Sequence, residues 1–205
     1  MKINAAGVRR DVIVIGASAG GFAAIRGVVS ALPNDMPAIV GVVLHRAPFF
    51  KSEFDQIMRR WSPMSVIEPT GPTPLAPGTI YLAPPDRHMR FMANSLFLDR
   101  GPKEHFTRPA VDALFMSAAE AFGPRVVGVV LSGNGSDGLL GCLAIKAAGG
   151  LVLVQNPSEA ECTSMPVSAL RQDHVDAHLF VKEMAHVLGR LALGATVEMP
   201  NGHGS

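Results

Sequence analysis

The apolar residues of this chain come in short unbroken runs, and this constrains the fold more than any other feature. Val12–Ile15, Ala38–Leu44, Val126–Leu131 and Leu151–Val154 are rich in β-branched residues and too short for buried helices. Runs of this kind suit strands covered on both faces, as in a parallel sheet. Segments with helical period lie between and beyond them: Phe22–Leu32, Ser52–Trp61, Ala110–Phe122, Leu139–Ala148 and Val181–Leu193. Alternation of strands and helices predicts an α/β fold, a doubly wound, mostly parallel sheet of the Rossmann-like kind. One stretch breaks the rhythm. Met64–Arg100 has many prolines and no helical period, and Arg90–Met92 and Ser95–Leu98 flank a hairpin-like Ala93-Asn94. It is expected to form an antiparallel hairpin excursion at one edge of the sheet.

Composition excludes several functions. With 48% hydrophobic and 17% charged residues over 205 positions, the chain is no disordered tail. A chain of this length buries about 70% of its unfolded surface and needs no disulfide or metal to hold a core. The net charge of +1 leaves no electrostatic footprint for nucleic acid, and one Trp and one Tyr make no base-stacking platform. No apolar run approaches the ~18 residues of a membrane-spanning helix, so no direct membrane insertion is expected. Arg9-Arg10 ahead of Val12–Ile15 imitates a signal peptide, but the run is too short and Asp11 interrupts it. Cys142 and Cys162 lack metal or redox spacing and read as free thiols, which points to a cytoplasmic protein.

Ligands of open α/β sheets bind beyond the carboxyl ends of the strands. The residues directly after each run are therefore the informative ones. After the first comes Gly16-Ala17-Ser18-Ala19-Gly20-Gly21, which fits the G-x-S-x-G nucleophile turn. Small neighbours let the hydroxyl stand clear, and the following helix N-terminus offers free N–H groups to an oxyanion. A glycine-rich turn with no catalytic role, or a phosphate cradle, has the same local pattern. After the second run comes His45, placed to accept the serine proton. Ser132-Gly133-Asn134-Gly135-Ser136-Asp137-Gly138 follows the Val126–Leu131 run. Asp137 could orient the imidazole, or simply cap the helix that begins there.

Taken together these motifs resemble the catalytic domain of the chemotaxis protein-glutamate methylesterases, bacterial enzymes that remove methyl groups from chemoreceptors. The resemblance runs from about Asp11 to about Leu193. It includes Leu44-His45, Tyr81-Leu82-Ala83-Pro84-Pro85-Asp86-Arg87-His88-Met89, Arg108-Pro109-Ala110-Val111-Asp112 and Met165-Pro166. It implies a catalytic unit over residues 11–193, flexible ends at 1–10 and 194–205, and no attached receiver domain, since the catalytic turn begins by residue 16. It implies a serine hydrolase with Ser18 as nucleophile, His45 as base and Asp137 as orienting acid. The substrate would be glutamate methyl esters in the cytoplasmic region of a methyl-accepting chemoreceptor, with deamidation of receptor glutamines as a second activity. No cofactor and no metal are implied, and a separate regulatory protein is compatible with the isolated catalytic unit.

The family usually has Thr where this chain has Ala19 and Met where it has Asn134; both positions are expected to serve an oxyanion hole through backbone N–H groups. Two alternatives stay open on these departures: an esterase or amidase of a non-motility pathway, and a catalytically weakened interaction module. Gly20, Asp86, His88 and Arg108 are expected to shape the site. Arg46, Arg87 and Arg90 are candidate exposed contacts for an acidic receptor. Arg108 and Asp112 read as a helix-start pair around Pro109, placed at the first helical position. His174 and His178 lack a third metal ligand, and His105, His186 and His203 read as solvated.

Overall fold

The computed structural model describes residues 2–4, 7–46, 53–171 and 174–198. In chain order its elements are β1 (Lys2–Ile3), β2 (Val12–Ala17), α1 (Gly21–Ser30), β3 (Ile39–Leu44), α2 (Phe54–Trp61), β4 (Ser65–Ile67), β5 (Thr73–Pro74), β6 (Thr79–Leu82), β7 (His88–Phe91) and β8 (Ser95–Asp99). Then follow α3 (Val111–Phe122), β9 (Val126–Val130), α4 (Leu139–Ala147), β10 (Leu151–Gln155), α5 (Ser164–Leu170), β11 (Ala177–Leu179), α6 (Val181–Ala192) and β12 (Val197–Glu198). The start of the helix expected from Ser52 lies outside the described residues.

Seven strands form one parallel sheet in the order β11-β10-β9-β2-β3-β6-β4. The unbroken apolar runs are its buried centre. Ile13 and Ile15 of β2 face the layer of α1, α2 and α6, whereas Val12 and Val14 face α3, α4 and α5. Period-2 alternation thus persists within an all-apolar run, because both faces are dry. Gly128 of β9 has no room for a side chain: a Cβ would lie 2.7 Å from the Ile145 side chain and 3.3 Å from Phe115. That gap seats α3 and α4 directly on the sheet.

The proline-rich stretch is more than an edge excursion. The hairpin is present, with β7 and β8 antiparallel and the Met92 N–H bonded to the Ser95 carbonyl at 2.8 Å. Together with β5 it makes a separate three-stranded sheet, whose Met89, Phe91 and Leu96 pack into the α3 side of the core instead of continuing the edge. The same stretch also supplies β6 and β4, parallel strands of the main sheet. Strands of four and three residues carry too little pattern to stand out from the sequence. They are decided by pairing, β6 with β3 and β4 with β6.

The ends also differ from expectation. Within 1–10 and 194–205, β1 and β12 pair antiparallel, Lys2 with Glu198 and Ile3 with Val197. Asn4 Nδ2 donates to the carbonyls of Val8 and Ala195 at 2.8 and 3.1 Å. Arg10 is 7% exposed. Its guanidinium donates to Asn4 Oδ1 at 3.1 Å, to the Gly149 carbonyl at 2.7 Å and to the Pro124 carbonyl. Residues 199–205 of the expected tail lie outside the described residues. Arg10→Ala is therefore expected to destabilise the protein by about 2 kcal/mol, since it strips two loop carbonyls of a charged donor. Urea unfolding measures this, and a loss near zero would return the segment to a loose end.

Strand order reverses direction at β2: the chain moves from β2 to β3 on one side, and returns later to β9 on the other. The carboxyl ends of β2 and β9 border the crevice where such sheets bind ligands.

Candidate active site

The serine turn sits at that switch point. Ser18 follows β2, and α1 begins at Gly21. Gly20 has φ +70°, a left-handed value that glycine adopts without penalty. A Cβ on Gly20 would also lie 2.6 Å from Glu161 Cβ and 2.8 Å from Ser132 Oγ. The turn is pinned from both neighbouring strands. The Ser18 N–H donates to the Ser132 carbonyl at 3.0 Å, and the His45 N–H donates to the Ala17 carbonyl at 3.1 Å. The second bond extends the β2–β3 ladder by one step, and so brings His45 alongside the serine turn.

His45 Nε2 meets Asp137 Oδ2 at 2.7 Å, with the His45 side chain only 12% exposed. The other ring nitrogen, Nδ1, is the one left for Ser18. Among the described residues no hydrogen bond within 3.5 Å joins Ser18 Oγ to that ring, whereas the His45–Asp137 contact is made.

Asp137 does not cap its own helix. The N-cap of α4 is Gly138, without a side-chain bond. The Asp137 carboxylate instead serves α3, accepting the N–H of Val111 on Oδ2 at 2.7 Å and that of Asp112 on Oδ1 at 2.9 Å. Thr107 Oγ1 adds a longer contact of 3.4 Å. Burial would raise this carboxyl's pKa, but the His45 hydrogen bond and the two α3 N–H groups outweigh burial and hold it below the ordinary aspartate value. The acid is therefore ionised and aimed at the imidazole by a helix N-terminus.

The residues expected to shape the site build the support for α3. His88 is fully buried. Its Nδ1 accepts the Ala110 N–H at 3.2 Å and its Nε2 faces the Pro102 carbonyl at 2.9 Å, which fixes the Nε2–H tautomer. Arg108 donates to Asp86 Oδ1 through Nε at 3.0 Å and Nη2 at 2.6 Å, and to the Gly101 carbonyl at 2.7 Å. That hydrogen bond, foremost, lowers the Asp86 pKa. Arg108 thus pairs with Asp86 rather than Asp112, and Pro109 precedes the helix: Ala110 is the N-cap and Val111 the first residue.

Several contributors carried no local signal. Ser132 Oγ donates to the Ala19 carbonyl at 2.9 Å and accepts the Cys162 N–H at 2.9 Å. Gln155, 3% exposed, accepts the Ser132 N–H at 2.8 Å. The N–H groups of Ser18, Gly21, Ser132 and Gly133 are thereby spent on protein acceptors. Those of Ala19 and Asn134 have no acceptor among the described residues. Gly133 must be glycine, since a Cβ would lie 2.1 Å from Met165 Sδ and 2.9 Å from Ser18 Cβ. Ser132 and Met165 stood in recognisable motifs, but their partners are more than 20 residues away.

Some expectations for single residues change. His105 is not simply solvated: its Nε2 lies 3.0 Å from Asp112 Oδ2. Arg46 has a side chain only 7% exposed, paired with Glu68 at 2.8 Å and lying over the Phe54 ring. Arg90 binds Asp99 and Glu104. Both arginines are engaged in folding the rim rather than offered to a partner. His178 lies on β11, and His203 is outside the described residues. Cys142 is buried, and burial together with the nearby Asp112 charge pushes its thiol up to about 12, so it is inert.

Asp112 is the second buried carboxylate, 2% exposed, accepting the Gly141 N–H at 2.7 Å. Atoms of His105, Asp112 and Asp137 lie within 4.8 Å of one another, a spacing a metal could use, but they are engaged with each other's neighbours and with backbone N–H groups. Burial foremost, and then the Asp137 charge, raise the Asp112 pKa against the pull of the Gly141 N–H. A raised folded value means stability that is full below the ordinary aspartate pKa, ~4, and declines as pH rises through the folded value. Asp112→Asn removes that decline. Its stability relative to wild type is expected to improve as pH rises above ~4, read by thermal melts across pH. A difference that does not change with pH would show that Asp112 titrates as an ordinary surface acid.

The fold and the crevice define a class: a doubly wound α/β domain whose switch point carries a serine turn with a histidine–aspartate pair beside it, residue types that serine hydrolases use. The chain belongs to the CheB methylesterase family, whose model matches residues 13–188. A Leptospira interrogans protein, 33% identical over 182 residues, provisionally bears the name protein-glutamate methylesterase/protein-glutamine glutaminase; the match covers 88% of this chain and 94% of that protein. A Photorhabdus laumondii protein of the same name, without the provisional qualifier, is 33% identical over 192 residues, 91% of this chain and 55% of the relative. The chain thus spans nearly the whole of the first relative and about half of the second. The crystal structure of the Thermotoga maritima CheB methylesterase catalytic domain superposes with a TM-score of 0.86 at 30% identity, covering 90% of this chain and all of that one.

Proposed function

We propose that this chain is a serine hydrolase that removes methyl esters from glutamate side chains in the cytoplasmic region of a methyl-accepting chemoreceptor, and deamidates receptor glutamines at the same site. The observation that carries this reading is the 2.7 Å His45–Asp137 contact beside the Ser18 turn, in a chain of the CheB methylesterase family.

Ser18 Oγ attacks the ester carbonyl while His45 Nδ1 takes the hydroxyl proton. Asp137 stabilises the imidazolium through Nε2. The oxyanion of the tetrahedral intermediate faces the unspent N–H groups of Ala19 and Asn134 at the α1 N-terminus and the β9 loop. Backbone donors do not depend on the side chain, so Ala19 and Asn134 can serve where the family usually has Thr and Met. His45 returns its proton to the leaving methoxide, releasing methanol and an acyl-enzyme. A water, deprotonated by His45, then frees the glutamate carboxylate and Ser18. For glutamine the leaving group is ammonia.

Among the described residues no helix is long and apolar enough to cross a membrane. The enzyme would act from the cytoplasm on the receptor's exposed region, with a separate protein available to regulate it. The test is methanol release from methylated receptor membranes by the purified chain. Release that is abolished in Ser18→Ala is expected. No release above background would overturn the reading.

A further inference from the structure

Next to the triad stands a two-residue hairpin. The Glu104 N–H bonds the Thr107 carbonyl at 3.2 Å, and the Thr107 N–H returns to the Glu104 carbonyl at 2.8 Å. Its two central residues, His105 and Phe106, have φ of +49° and +63°. Turns of this geometry are normally made by Asn-Gly or other small residues, because a Cβ is disfavoured at positive φ. The second position here is a phenylalanine that is 95% exposed. Backbone conformation and hydration thus both act against this side chain.

The hairpin is not loose. His105 Nε2 lies 3.0 Å from Asp112 Oδ2, while Thr107 Oγ1 donates to the Glu104 carbonyl at 2.9 Å and lies 3.4 Å from Asp137 Oδ2. Arg90 clamps Glu104 at 3.0 Å. The residues on either side of Phe106 are therefore fixed, His105 on Asp112 and Thr107 within the hairpin beside Asp137, the proposed triad acid. Leu140, 54% exposed, adjoins Gly141, whose N–H binds the same Asp112. Two exposed apolar residues thus each adjoin, in the chain, a residue bound to Asp112. Arg46 and Arg90 are already paired with acidic side chains.

We propose that Phe106 is a specificity-determining residue, an apolar finger that packs against a hydrophobic side chain of the protein substrate next to the esterified glutamate. This rests on the methylesterase reading above and adds to it how the protein substrate is gripped. An ester-bearing protein surface that covers the crevice would desolvate the ring. A rigid, pre-positioned aromatic is the side chain that gains most from such burial. A small soluble ester reaches Ser18 without touching the finger.

The experiment compares wild type, Phe106→Ala, Phe106→Gly and Phe106→Leu on methylated receptor membranes and on p-nitrophenyl acetate. Phe106→Ala and Phe106→Gly are expected to lose about tenfold or more in kcat/KM on the receptor, mainly through KM, while hydrolysis of p-nitrophenyl acetate stays within about twofold. Phe106→Leu should recover most of the receptor activity. Glycine suits the positive φ, so its loss of receptor activity cannot come from collapse of the turn. Receptor kcat/KM within twofold of wild type in Phe106→Ala would overturn the finger. So would parallel losses on both substrates, which would make Phe106 a support for Asp137. Wild type that cleaves p-nitrophenyl acetate but releases no methanol from receptor overturns the methylesterase reading itself, and the finger with it.

Discussion

Ser18→Ala and His45→Ala are each expected to lower methyl-ester turnover by about 10⁴-fold or more, with the double variant little worse than either single one. The serine hydroxyl is a poor nucleophile until a base removes its proton, and in the proposed mechanism that base is His45, which the β2–β3 ladder sets beside the serine turn. Without the imidazole the hydroxyl stays protonated. Without the hydroxyl the imidazole has no protein nucleophile to serve. What survives is the contribution of binding and of the Ala19 and Asn134 N–H groups, which both variants retain. Steady-state methanol release measures the rate, and a fluorophosphonate label reports Ser18 directly. Labelling should vanish in Ser18→Ala and fall steeply in His45→Ala. Losses that multiply in the double variant would show that the two residues do not share a step. Full labelling of His45→Ala would mean that another base activates the serine, as the open Ser18–His45 contact would then suggest.

Asp137→Ala is expected to lower turnover by about 10³-fold and also to destabilise the fold by about 3 kcal/mol. The two effects have one origin. The carboxylate is 3% exposed and accepts from His45, from the Val111 N–H and from the Asp112 N–H. Alanine leaves both α3 N–H groups buried without an acceptor, at about 1–3 kcal/mol each before relaxation. It also frees the imidazole to turn away from Ser18 and removes the charge that stabilises the imidazolium. Asp137→Asn should separate the two, because an amide oxygen still caps one α3 N–H while the negative charge is gone. Its stability should lie between wild type and Asp137→Ala, with activity still low. Because the folded Asp137 pKa is depressed, its contribution to wild-type stability is present above ~4 and is lost as pH falls through the folded value. Wild type should therefore lose more stability than Asp137→Asn on acidification below pH 4. Unchanged urea unfolding in Asp137→Ala would show that α3 does not depend on this cap.

Much of the architecture is legible before folding. Unbroken β-branched runs report strands buried on both faces, and the alternation with helical period reports a doubly wound sheet. Both are local patterns imposed by burial. Because strand ends on one rim are where such sheets bind, Ser18, His45 and Asp137 could be picked out as the residues following three of those runs. Their placement depends only on where strands stop, and that is written within a few residues of each.

The tertiary structure alone decided the rest. Which helix Asp137 caps is settled by the packing of α3 on α4, between elements that start at Val111 and Leu139. His88 reads as an isolated motif histidine until its two nitrogens are seen holding Ala110 and Pro102. Arg10 reads as part of a loose end until the β1–β12 ribbon and two distant loop carbonyls close over it. β4 and β6 are too short to declare themselves and exist because β3 offers an edge to β6 and β6 in turn to β4. In each case the deciding partner is remote in sequence. A hydrogen bond or a packed face joins groups that no local period relates, so periodicity determined which elements form here and only their packing determined which polar atoms meet.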